Sequence, residues 1–337
     1  MERSAQQITR AILEEPLSLW ELLPLTGNDA TACVSALQNL LTSGLVTRQG
    51  NKFALTPAGR ERAREMKLTS TPDLTCPACE GKGLVPQVFF SQVETELAEL
   101  AHRRPDMKAE FDQGCVRVAD SLGRVLVMYR QGDLEGREIL FLGDDDLTSL
   151  AAALTGLPAG ITVLEIDPQL VAFLRTVAQE RGWENLRVRE YDVRNPWPED
   201  LHGQFDVAVT DPVETRAGFT LFLSRATEGL RGPGTALYFG LTRLESDLAR
   251  WGYFQQTLLQ MGWVITEILP SFHRYHLPGW QFVLEECPGA VELDPGAPSP
   301  GASWYTSSLV RLEAPGELRP AHTGEVRLGA ELYVDGH

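Results

Sequence analysis

The sequence predicts an α/β protein built on an open, doubly wound parallel sheet, with a small domain of different character in front of it. Three observations carry this. From about Leu126 onward, strand-like apolar runs alternate with amphipathic helical runs, the signature of parallel strands joined by crossover helices. Acidic residues recur at the ends of those strands, the edge where open α/β sheets bind ligands. The first 67 residues instead read as three helical runs closed by a hairpin.

In that first part, Ser4 to Glu14 is helical and SLWELLPLTG suggests a second helix. Asp29 is placed to cap a third, in which Ala32, Val34, Leu37, Leu40 and Leu41 recur at helical spacing before Gly44 supplies the stop. LVTRQGNKFALT then turns at Gly50 and Asn51. Three helices followed by a hairpin look like a winged helix. The third helix has no Lys or Arg between Asp29 and Gly44, so it is poorly equipped for a major groove. An interaction or homodimer role for residues 1–67 is expected instead.

Residues 68–125 are expected to be a linker carrying a turn and one helix. Cys76-Pro-Ala-Cys79 resembles half of a zinc ribbon, but no second CxxC or suitably spaced CxxxH completes four ligands. It is read as a tight turn, with no metal site. SQVETELAELAHRR follows as an amphipathic helix.

Residues 126–287 are expected to form the catalytic domain. REILFLG is the first strand and LTSLAAALTG its helix; ITVLEID is followed by PQLVAFLRTVAQERGW; LRVREYD, FDVAVTD and TALYFGL follow as strands three to five. After the helix around DLARWGYFQQTLLQMG, WVITEILPSF and WQFVLEEC are expected to pair at the sheet edge. This is the sheet of methyltransferase-like (Rossmann-type) folds. Residues 288–337 begin Pro/Gly-rich and are expected to be a flexible tail.

Composition narrows the partners. The chain has 337 residues, 43% hydrophobic, with a formal charge of −16. Residues 1–67 carry 8 basic and 7 acidic residues, so the acidity belongs to the remainder. Phosphate binding needs clustered Lys and Arg, which argues against nucleic acid and for cationic ligands. No apolar run approaches the roughly 18 to 20 residues of a bilayer crossing, and the first residues lack a signal-peptide core. Five scattered cysteines argue against a disulfide framework. A cytoplasmic protein without membrane contact is expected.

Four acidic sites fall at strand ends. After strand one stands Gly143-Asp144-Asp145-Asp146, where nucleotide sites usually place glycines; three aspartates there make a negative pocket, costly unless cations fill it. Glu165 ends strand two, placed to accept both hydroxyls of a ribose, while Asp167 is suited to capping the next helix. Asp192 follows strand three, either facing the amine of an adenine or simply holding a turn. Asp211-Pro212-Val213-Glu214 follows strand four, with Asp211 pointing into the same cleft and Pro212 fixing the loop.

GDDDLTSLA, LEID, YDV and TDPVET, preceded by FDQG and QGDLEG, resemble the branched-chain polyamine synthases, the N(4)-bis(aminopropyl)spermidine synthases of thermophilic bacteria and archaea. The resemblance covers nearly the whole chain. It implies an aminopropyltransferase whose co-substrate is decarboxylated S-adenosylmethionine, with spermidine as acceptor, methylthioadenosine as leaving product and no metal or redox cofactor. It further implies that Asp146 holds the donor's amine, Glu165 the ribose and Asp192 the adenine. Asp211 with Glu214 becomes the acidic pair beside the reacting amine. This chain departs from the related spermidine synthases in lacking the loop glycines and in having Val213 where proline is more usual.

Two rival readings follow from the same residues. An amine-directed methyltransferase would share the nucleoside contacts, but its donor carries a carboxylate that three aspartates repel by several kcal/mol at short range. A polyamine-sensing winged-helix regulator would show the same acidic pocket without turnover.

Overall fold

The computed structural model describes residues 1–27, 29–70, 74–276, 287–293 and 304–333. They form two compact units.

The first unit takes its residues from 1–76, 242–247 and 277–306. Its elements begin with α1 (Arg3–Ala11), β1 (Leu17–Ser18), α2 (Leu19–Thr26), α3 (Ala30–Thr42), β2 (Val46–Gln49), β3 (Lys52–Leu55) and α4 (Pro57–Glu65). Ser18 and Glu21 form a reciprocal capping box at α2, and Asp29 Oδ1 accepts the amide of Ala32 to cap α3. The strands lie in the order β1-β3-β2, all antiparallel, with Gly50 in the left-handed turn between β2 and β3. Ile8, Leu22, Leu37 and Phe53 are fully buried in its core. Helix α4, capped by Thr56, was not anticipated; only Gly59 and Ala63 of it are buried, so its sequence gives little apolar periodicity.

The second unit takes its residues from 77–241, 248–276 and 307–337. Its elements are α5 (Val88–Ala101), β4 (Cys115–Val116), α6 (Val118–Gln131), β5 (Glu138–Leu142), α7 (Thr148–Thr155), β6 (Gly160–Glu165), α8 (Pro168–Arg181), β7 (Leu186–Glu190), β8 (Val207–Thr210), α9 (Arg216–Gly229), β9 (Ala236–Leu241), α10 (Leu248–Gln260), β10 (Val264–His276) and β11 (Thr306–Glu313). Eight strands make one sheet in the order β4-β10-β11-β9-β8-β5-β6-β7. Strands β5 to β9 are mutually parallel where they pair, and β11 runs antiparallel to β9.

Alternation along the strands explains the double winding. Ile139 and Phe141 of β5 enter one core with residues of α5 to α8, while Leu140 and Leu142 enter the other with residues of α9 and α10. Both faces of each central strand are thus buried, which is why the strands read as continuous apolar runs.

The structure redraws two expected boundaries. Residues 68–125 are no mere linker: Leu97 and Leu100 of α5 and Val125 of α6 join the main core, and a boundary at 125/126 would cut through α6. The expected flexible tail contains a helix at Pro288–Leu293, with Ala290 and Leu293 buried in the first unit, and then β11, whose Leu309 and Leu312 are buried in the second. Proline and glycine around 294–303 masked an alternating strand, SSLVRLE. In the sheet β10 lies between β4 and β11; WQFVLEEC, apart from Cys287, lies outside the described residues. Residues 77–81 run through turns, closed by the amide of Lys82 on the carbonyl of Cys79.

Candidate active site

Register brings the predicted residues to one edge. Leu142 at the end of β5 lies opposite Leu164 of β6 and Thr210 of β8, and Thr210 lies opposite Phe239 of β9. Gly143, Asp145, Glu165, Asp192 and Asp211 line one cavity there, with Tyr191, Val213, Phe222, Leu332 and Tyr333 supplying apolar wall. Asp144, Asp146, Pro212 and Glu214 do not line it.

The three loop aspartates have three different fates. Asp144 turns inward: its Oδ1 accepts the amide of Ser149 at 2.9 Å and its other oxygen accepts the Ser149 hydroxyl, which fastens the first turn of α7. Asp145 faces the cavity, with Oδ2 accepting the amide of Gly114 at 2.9 Å and its carbonyl accepting Arg104. Asp146 was expected against the donor's amine, but its carboxylate is buried in an ion pair with Arg124 of α6 at 2.7 Å. The two meet at a poor hydrogen-bonding angle, so the contact is chiefly ionic. A run of aspartates is tolerable here because Ser149 takes Asp144 through its amide and hydroxyl, the Gly114 amide takes Asp145, and the Arg124 guanidinium takes Asp146. Gly143 and Leu147 both occupy the left-handed region, so the loop keeps that conformation at Leu147, where the related motif has glycine.

Glu165 is buried, its Oε2 accepting the amide of Asp144 at 3.0 Å and its Oε1 that of Asp167 at 2.9 Å. Asp167 caps α8 through Gln169 and pairs with Lys108 at 2.6 Å, outside the cavity lining. Asp192 is gripped by Arg194, both through its amide and through the guanidinium, which comes to 2.6 Å. Burial raises the carboxyl of Asp192, but Arg194 outweighs it and holds the group below its usual value.

Asp211 is the most constrained acid. Its Oδ2 accepts the hydroxyl of Tyr275 at 2.7 Å and lies 4.0 Å from Arg124. The amide of Gly240 donates to it from β9. A Cβ at Gly240 would stand 2.2 Å from Asp211 Oδ1, so only glycine fits beneath this carboxylate. Burial pushes its pKa up to about 6, with Arg124 opposing and Asp146 adding to the rise. Burial likewise raises Asp144, Asp145 and Glu165. Glu214 is half-buried ahead of α9, and its carbonyl lies 3.5 Å from Arg250. Pro212 is buried.

The chemistry assembled here is a cluster of carboxyls poised to ionise around a cation, one of them titrating near neutrality, beside an apolar slot. The comparisons say which proteins share it. The model of the branched-chain polyamine synthase A C-terminal domain matches residues 92–337. The N(4)-bis(aminopropyl)spermidine synthase of Thermococcus kodakarensis is 35% identical over 335 residues, covering 99% of this chain and 93% of that one. The chain belongs to the branched-chain polyamine synthase family. The family's member from Thermus thermophilus is 37% identical over 324 residues, covering 96% of this chain and 90% of that one. A crystal structure of the Thermus branched-chain polyamine synthase, in complex with N4-aminopropylspermidine and 5'-methylthioadenosine, superposes with a TM-score of 0.83 at 36% identity, covering 97% of this chain and 91% of that one.

As a branched-chain polyamine synthase family member this chain is a transferase on a methyltransferase-like sheet, as the sequence motifs implied. Sequence reasoning missed Arg124, Gly240 and Tyr275, which meet Asp211 or Asp146, and His273 and Ser307, which bond to Arg124 and Tyr275. The only signal for the strand pair was the polar run HRYH, which continues β10 past the point where its apolar pattern stops. Among the described residues no helix is long and apolar enough to cross a membrane, and no group of three or more His, Cys, Asp or Glu is arranged to hold a metal ion.

Proposed function

We propose that Asp211 takes the proton of the attacking nitrogen as the aminopropyl group of decarboxylated S-adenosylmethionine is moved to the secondary amine of spermidine. The nitrogen attacks the methylene next to the sulfonium; the C–N bond forms, the C–S bond breaks, and its electron pair returns to sulfur. Methylthioadenosine leaves as a neutral thioether. A protonated amine has no lone pair, so the acceptor's ammonium proton goes to Asp211 before the attack, and the nitrogen keeps its remaining proton as the tertiary ammonium of the product. The step balances without a metal or redox group.

The observation that supports this reading is the environment of Asp211: at a strand end, in the cavity, hydrogen-bonded by Tyr275, with a pKa raised to about 6. A polyamine is almost fully protonated near neutral pH, so a carboxylate that titrates there can both bind it and accept its proton. Glu165 is assigned to the ribose and Asp192 to the adenine. Asp145 takes the donor's amine in place of Asp146, because Asp145 faces the cavity and Asp146 is neutralised by Arg124. Glu214 is assigned to the acceptor's remote ammonium, while Gly143, Asp144 and Pro212 shape the loops. A donor bearing a carboxylate would meet Asp145 and Asp211, which disfavours methyl transfer.

To the same reading belong a cytoplasmic setting, which fits cysteines that form no disulfide among the described residues, and a winged-helix-like first unit that pairs two chains and leaves nucleic acid alone. Light scattering tests the dimer. The test of function is mass spectrometry of products from spermidine and the decarboxylated donor. Methylthioadenosine with a one- or two-aminopropyl increment on spermidine is expected; ligand binding without product would make the chain a sensor.

A further inference from the structure

We propose that Arg124, His273, Ser307 and Tyr275 form a one-directional hydrogen-bond relay that holds the Asp211 carboxylate in place for the acceptor nitrogen. This rests on the reading of Asp211 as the proton acceptor, and it assigns positioning roles to four residues that no motif marks.

Direction follows from the chemistry of each group. A guanidinium can only donate, and Arg124 Nε and Nη2 lie 3.2 and 3.1 Å from His273 Nε2, so that nitrogen must accept. His273 is completely buried, and burial together with Arg124 and Lys82 holds it well below its usual pKa, so the ring is neutral. Its single proton is therefore on Nδ1, 2.8 Å from Ser307 Oγ, which accepts. The Ser307 hydroxyl is then free to donate to Tyr275 Oη at 3.1 Å, because the Tyr275 hydrogen is committed to Asp211 at 2.7 Å. Each link has one arrangement, so the relay fixes the last donor's direction.

The relay spans three parts of the second unit: Arg124 on α6, His273 and Tyr275 on β10, and Ser307 on β11. Arg124 is shared, since its Nη1 pairs with Asp146. The groups facing Asp211 are thus Tyr275 from β10, Arg124 from α6, the Gly240 amide from β9, and Asp145 and Asp146 from the loop after β5. Tyr275 does not surrender its own proton: burial and the neighbouring carboxylates raise it well above the usual phenol value. It therefore orients Asp211 and stabilises its ionised form, and Asp211 stays the acceptor.

The test follows the Asp211 carboxyl by carbon-13 NMR in aspartate-labelled protein, its resonance assigned with Asp211→Asn, alongside pH–rate profiles. Tyr275→Phe removes a hydrogen bond to the charged form, so the Asp211 pKa and the acidic limb of turnover should both rise by about one unit. Ser307→Ala should move both in the same direction by less, and Ser307→Thr, which keeps the hydroxyl, should recover most of that shift. Nitrogen-15 shifts of His273 should report a neutral ring protonated on Nδ1 between about pH 5 and 8. Folded Tyr275→Phe and Ser307→Ala proteins with an unmoved Asp211 titration would overturn the relay, as would an Nε2-protonated His273. Should Tyr275→Phe not fold, the two Ser307 variants decide. If the titration moves but Asp211→Asn keeps its turnover, the relay stands and the base assignment falls.

Discussion

The side chains of Arg124 and Asp146 pair at 2.7 Å with only 2% and 3% of their surface exposed. Each is the counter-charge that lets the other be buried behind Gly143 and Asp145, which line the cavity. Breaking a buried pair strands a charge and typically costs about 3–5 kcal/mol. Arg124→Met should therefore lower the unfolding free energy by about that much, measured in urea at neutral pH. A stability within about 1 kcal/mol of the parent would show that Asp146 is balanced in some other way.

Asp211→Asn keeps the shape and the contact with Tyr275 but removes the proton acceptor. General base catalysis is worth about 10² to 10⁴ in rate, and turnover should fall within that range. In the parent, the rate should rise with pH through the Asp211 value of about 6. A turnover profile with no acidic limb there would remove Asp211 from the role.

Stability should respond in the opposite sense to activity. A carboxyl raised from about 3.9 in the unfolded chain binds its proton more tightly when folded. Its contribution is full below the unfolded value and is lost as pH rises through about 6. The stability of Asp211→Asn relative to the parent should thus grow by about 2–3 kcal/mol between about pH 4 and pH 7. Parallel curves for the two proteins across that range would contradict the raised value.

Binding a cation should release protons. Asp145, Glu165 and Asp211 are all raised by burial, and a sulfonium or ammonium beside them lowers them again. Calorimetry of donor binding near pH 6 in buffers of different ionisation enthalpy should show net proton release. Uptake, or no buffer dependence, would count against the cavity as the cation site.

Asp192 carries the adenine assignment while gripped by Arg194. Asp192→Ala should weaken methylthioadenosine binding by about tenfold or more, the scale of a hydrogen bond to a charged group. Spermidine affinity should barely change. Equal losses for both ligands in calorimetry would point to a collapsed loop instead.

Removing residues 304–337 should abolish folding of the second unit. The deletion takes β11 from between β9 and β10 and removes Arg311, which pairs with Asp133 at 2.8 Å inside the core. Far-ultraviolet circular dichroism and light scattering should show a disordered or aggregated product; a monodisperse, cooperatively melting protein would make the carboxy-terminal residues dispensable.

The sequence by itself determined the alternation of β5 to β9 with their helices, because a strand buried on both faces must be apolar throughout and its crossover helix amphipathic. It also determined that Gly143, Asp145, Glu165, Asp192 and Asp211 share an edge, since a parallel sheet aligns its strand ends. Caps such as Asp29 were legible for the same reason: their physics is local. What only the tertiary structure decided is non-local. Which of three successive aspartates faces the cavity depended on Ser149 and Arg124, and the insertion of β11 beside β9 depended on residues about 70 positions apart in sequence meeting in register, as Ser308 does with Leu241. The surroundings of Asp211 come from α6, β9, β10 and β11, four segments whose individual sequences carry no mark of one another. Burial sets the titration of that carboxyl, and burial belongs to the assembled fold alone.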